Sequence, residues 1–104
     1  MAQFDVHENM NKETASMIPF LLDVQTDMLD NLATRVVVPL MTEAAMGRPV
    51  SHLNPKFEIE NIIVFMSTAE LAGIPKGNLG KKVASLKKWR EEIIAALDFL
   101  FVGF

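Results

Sequence analysis

The hydrophobic period of this chain changes once, and that change limits what it can fold into. Before residue 76 the apolar residues form short segments, either alternating with polar ones or running together for a few positions. Beyond Ser85 they recur every three or four residues. Period two marks strands with one buried face, and a period of 3.6 marks a helix with one apolar stripe. A mainly β domain closed by a C-terminal α-helix is the expected fold class.

Phe4 and Val6 alternate with polar neighbours, and Phe20, Leu22 and Val24 do so again. Glu8–Ser16 has no apolar period and reads as a flexible hairpin loop. Arg35–Leu40 is β-branched and short, as expected of a buried strand; Pro39, which has no amide donor, should mark its end, an edge or a bulge. Met41–Asn54 reads as a long loop with a helical turn at Glu43–Met46. Phe57 and Ile59 precede a turn at Glu60-Asn61, then Ile62–Met66 and a last short strand ending at Pro75. Gly77 and Gly80 bracket a break, and Gly77–Lys82 reads as a turn. A helix follows over Leu86–Phe101, with Ser85 as N-cap, Lys87–Glu91 and Lys88–Glu92 as surface pairs, and Gly103 ending it.

With 104 residues the chain is a single domain over 1–104. Half its residues are hydrophobic, yet a domain this small buries only about two-thirds of its unfolded surface. The surplus gathers at Ile93–Phe104, apolar nearly all round apart from Asp98, which points to a subunit interface. The absence of cysteine excludes disulfides and thiolate chemistry. A polar start and the lack of any apolar run near the ~20 residues that span a bilayer lead to an expectation of a cytoplasmic protein without membrane contact.

Residues 1–75 hold ten acids and four bases, a net −6, whereas residues 76–104 hold six bases and three acids, a net +3. This balance disfavours direct nucleic-acid binding by the chain alone. No constellation for catalysis is apparent. His7 and His52 lack metal-ligand spacing and read as loop or surface residues, and the glycines form no phosphate loop. Asp23, Asp27 and Asp30 are close in sequence but are expected to point different ways, in turns and caps. The residues point to binding, with no cofactor and no enzymatic activity.

One stretch is more specific. Leu22-Asp23-Val24-Gln25-Thr26-Asp27-Met28-Leu29-Asp30, followed by Thr34-Arg35-Val36-Val37-Val38-Pro39-Leu40, resembles the CcdB family of toxins. Gln3-Phe4-x-Val6, Ile74-Pro75 and Glu92–Leu100 before a penultimate Gly103 extend the resemblance along essentially the whole chain. It implies an SH3-like, CcdB-type twisted antiparallel sheet of about five strands with a small β-wing, and a symmetric homodimer. It implies binding to the A subunit of DNA gyrase, neutralisation by a cognate acidic antitoxin, and autoregulation of the operon. The gyrase-facing positions carried over are Phe4, Met28, Leu29, Asp98, Val102, Gly103 and Phe104. Two of them depart from the best-known members, which have tryptophan where Val102 stands and asparagine where Asp98 stands. The alternatives are a ribonuclease toxin of the MazF type and a homologue that binds antitoxin without killing.

Overall fold

A computed structural model describes residues 2–103. Seven strands form one antiparallel sheet: β1 (Asp5–Asn9), β2 (Phe20–Asp23), β3 (Thr34–Thr42), β4 (Lys56–Ile59), β5 (Ile62–Met66), β6 (Ala72–Pro75) and β7 (Leu79–Ser85). A helical turn, α1 (Glu43–Met46), follows β3, and α2 (Arg90–Val102) ends the chain. The sheet runs β4-β5-β3-β2-β1-β7, and β6 also pairs with β3. One of its faces holds Val6, Leu22, Val38, Leu40, Val64 and Met66, all fully buried, in one core cluster with Ile93 and Ala96 of α2. The mainly β fold class with a C-terminal helix is thus the observed one, with seven strands instead of five.

Strand β3 organises the sheet. Its first half, Thr34–Val37, pairs with β6, and its last residues, Leu40–Thr42, pair with β5. Pro39 lies inside this strand, not at its end as the sequence suggested. It sits where β3 passes from one partner to the other, so its missing donor interrupts no ladder, while its carbonyl accepts from the Ser67 amide at 2.9 Å. The Glu60-Asn61 turn is as expected, and both residues are left-handed (φ 49° and 67°), the geometry of a two-residue type I′ hairpin.

Two expectations are corrected. Gly77–Lys82 is not a turn: a 3₁₀ turn at Lys76–Asn78 leads into β7, which pairs with β1. The register between β1 and β7 shifts twice, which scrambles the alternation that would reveal β7 in sequence. The helix also starts later than expected. Lys87–Trp89 is a 3₁₀ turn whose N-cap position is Leu86, and α2 begins at Arg90, so Ser85 is not the N-cap; its hydroxyl accepts from Lys87 N at 3.2 Å, just ahead of the turn. Because the lysines belong to that tighter turn, neither pairs with its glutamate among the described residues; Lys88 lies instead over the Trp89 ring, 5.4 Å from its centroid.

The Glu8–Ser16 segment begins inside β1, and its loop is tied down by side-chain hydrogen bonds. Asn9 Nδ2 donates to Thr14 Oγ1 (3.0 Å) and to the Ile18 carbonyl (2.8 Å), and Asn11 Oδ1 accepts from Glu13 N (3.0 Å). His7 is not a surface residue: it is buried in β1, its Nδ1 2.9 Å from the Gly80 carbonyl and its Nε2 without a hydrogen-bond partner.

Candidate functional site

Two elements carry the predicted site residues. The first is the connection between β2 and β3, where Asp27–Leu29 make a single 3₁₀ turn. Thr26 caps it, its hydroxyl accepting from Met28 N at 3.3 Å. This turn projects Met28, 90 % exposed, and half-exposes Leu29. The second element is the end of α2, where Phe101 and Val102 are 69 % and 59 % exposed and Asp98 also faces outward. Gly103 ends the helix in the left-handed conformation (φ 84°), its amide bonded to the Phe99 carbonyl at 3.0 Å.

The fold brings these elements together. Leu29 and Leu32 from the loop, Val24 and Val36 from the sheet, and Leu97 and Phe101 from α2 line one apolar groove of about 480 Å³. Large exposed apolar side chains clustered around a groove mark an interaction surface more often than chance packing. Phe101 was expected only as part of the apolar Ile93–Phe104 end, and Leu32, Val24 and Val36 were assigned to no site, since their shared surface arises from a long-range contact. Phe4 stands apart from this face. It is 3 % exposed, inside the core, with a left-handed backbone (φ 72°) held by bonds from its amide to Asp23 O (2.6 Å) and from Leu86 N to its carbonyl (2.9 Å). Phe104 lies outside the described residues.

Beneath the loop lies a feature the sequence did not reveal. Asp23, Asp27 and Asp30 do not point apart; all three converge on the guanidinium of Arg35, which is wholly buried. Arg35 Nε donates to Asp23 Oδ2 at 2.8 Å and Nη2 donates to Asp23 Oδ1 at 3.0 Å, a two-pronged pair between fully buried groups. Nη2 also donates to the Gln25 carbonyl at 3.1 Å, and Nη1 to Asp30 Oδ1 at 3.2 Å. Asp27 Oδ1 is 3.8 Å from Nη2 and accepts from Gln3 N at 2.8 Å. The hydrogen bond to Asp23 raises the Arg35 pKa further, outweighing the lowering caused by burial, with the nearby carboxylates adding to the rise. The buried Gln25 amide completes the set: Nε2 donates to the carbonyls of Leu29 (3.1 Å) and Thr34 (3.2 Å), and Oε1 accepts from Val36 N (3.0 Å). The aspartates thus bind a cation supplied by the chain itself. Among the described residues, no three histidine, aspartate or glutamate side chains are grouped to hold a metal ion, and no helix is long and apolar enough to cross a membrane.

Comparison with known proteins agrees with this architecture. A solved mycobacterial structure, an endoribonuclease in complex with its cognate antitoxin, has the same fold with a TM-score of 0.76. The match covers 96 % of this chain and 93 % of that one, at 16 % identity, a level that speaks to fold alone. The family model described as CcdB protein matches residues 3–103, from the turn before β1 to the helix-ending glycine. The chain therefore belongs to the CcdB family, whose members are toxins of toxin–antitoxin modules.

Proposed function

We propose that this protein is a type II toxin that binds the A subunit of DNA gyrase and poisons the enzyme on DNA. It acts by binding and not by catalysis, as a homodimer in the cytoplasm, and a cognate acidic antitoxin neutralises it. The observation that carries this reading is the pairing of the Met28–Leu29 turn with the apolar end of α2 in a chain of the CcdB family. The contact face comprises Met28, Leu29, Asp98, Val102 and Gly103. Phe4, a core residue, is not part of it, and Phe104 continues the chain from Gly103.

A MazF-type ribonuclease is the second reading, favoured by the likeness of fold to the mycobacterial endoribonuclease. The two readings separate in one experiment. Purified protein is incubated with gyrase and supercoiled DNA in one arm, and with single-stranded RNA in the other. Gyrase-dependent accumulation of cleaved DNA with intact RNA is the expected outcome. Site-specific RNA cleavage with unaffected gyrase would install the ribonuclease reading. Antitoxin binding with neither activity would mark a homologue that has lost its toxicity.

A further inference from the structure

We infer that Arg35 is a positioning residue for target binding: from beneath the β2–β3 connection it fixes the turn that presents Met28 and Leu29. The inference rests on the proposal that these two side chains meet the target.

The turn cannot hold its own shape. Its three 3₁₀ residues are secured by two local backbone bonds, Leu29 N to Thr26 O (3.1 Å) and Asp30 N to Asp27 O (3.2 Å). So short a 3₁₀ segment with poor bond geometry is marginal in water. Nor does Met28 help, since a side chain 90 % exposed has almost no packing to locate it. The Thr26 hydroxyl on Met28 N and the Gln3 amide on Asp27 Oδ1 each add one bond at the exposed surface, and the rest of the support is the network below. Arg35 reaches Asp23 at the start of the connection, the Gln25 carbonyl within it, and Asp30 at its far side. Gln25, whose carbonyl Arg35 holds, in turn anchors the Leu29 carbonyl.

The charges make the arrangement depend on that one cation. Three carboxylates face the guanidinium within 3.8 Å, two of them more than half exposed. Remove the cation and they face one another across the vacated space, which favours an opened turn. Lys76 Nζ, 3.7 Å from Asp30 Oδ1, reaches that carboxylate from outside and can hold only one end. A lysine at position 35 would lack the planar fork that binds Asp23, the Gln25 carbonyl and Asp30 together.

The test combines hydrogen exchange, thermal melting and titration with the purified gyrase A subunit. In the double variant Asp23→Leu, Arg35→Met the buried ion pair is exchanged for apolar side chains of similar reach, a change often neutral for stability. The amides of Leu29, Asp30 and Leu32 should exchange on the order of tenfold faster, with affinity reduced to a similar degree, since charged hydrogen bonds hold the turn. Amides in the centres of β2 and β3 should be unaffected. A role confined to stability would instead speed exchange in both strands together. Wild-type exchange in the loop and wild-type affinity in the folded double variant would overturn the inference. Should that variant fail to fold, Asp30→Asn decides: its carboxylate is largely exposed, and a smaller change of roughly two- to fivefold is expected in both readouts, no change overturning the inference. Failure of the wild-type protein to bind the A subunit would count against the gyrase target, while loop exchange would still decide the role of Arg35.

Discussion

Gly103 and Val102 sit side by side at the end of α2, but different physics governs them. Gly103 adopts φ 84°, and a Cβ built there meets nothing within 4 Å. Gly103→Glu should therefore cost about 1 kcal/mol of stability, from backbone strain alone, and abolish target binding by placing a charge at the contact. Val102, more than half exposed, offers less contact area than a tryptophan. Val102→Trp should tighten binding by about 2 kcal/mol, a factor of roughly 30. A gyrase titration beside thermal melts checks both variants; unchanged affinity in both would remove the helix end from the contact face. Arg35 behaves differently again with pH. Its folded-state pKa is raised, so its stabilising contribution is fully present below the unfolded pKa and is lost only as pH climbs through the folded one. Both lie in the strongly alkaline range, which keeps the guanidinium charged throughout the neutral and acidic range.

Secondary-structure elements differ in how openly the sequence announces them. The β4–β5 hairpin is plain, because Phe57 and Ile59 alternate with polar neighbours and a polar two-residue turn separates them from the apolar run Ile62–Met66. That turn is not optimal, since Glu60 occupies a left-handed position that suits asparagine or glycine. The double variant Glu60→Asn, Asn61→Gly should gain about 1 kcal/mol in urea denaturation, and a loss would mean that the hairpin geometry is other than type I′. β7 is hidden by contrast. Its burial does not alternate, and its glycine serves close packing: a Cβ on Gly80 would stand 2.6 Å from the Glu8 carbonyl oxygen and 2.8 Å from Met10 Sδ. That reason for glycine lies on another strand, so no local pattern displays it.

Across the whole molecule, α2 spends one face on the sheet and leaves the other open. Ile93 and Ala96 are fully buried, while Ile94, Phe101 and Val102 remain exposed. A second copy covering the open side around Ile94, with Val102 left at the target face, is the expected arrangement for a chain so rich in apolar residues. At micromolar concentration, sedimentation should give a species of twice the 11.6 kDa chain mass. Ile94→Asp should shift it to the monomer while the fold persists; a wild-type protein that sediments only as monomer would refute the dimer.

The sequence by itself determined the mainly β class, the C-terminal helix with its glycine stop, the Glu60-Asn61 turn and the family. Each of these is written in residues near one another in the chain, in periodicity, turn chemistry or an ordered motif. Tertiary structure alone decided three other matters. It buried Phe4 and His7, it joined Leu29 to Phe101 in one groove, and it turned Asp23, Asp27 and Asp30 inward onto Arg35. Spacing along the chain cannot show which way a loop carboxylate turns. That depends on where β3 places a buried cation twelve residues after Asp23, and on the cost of leaving that cation unpaired out of water.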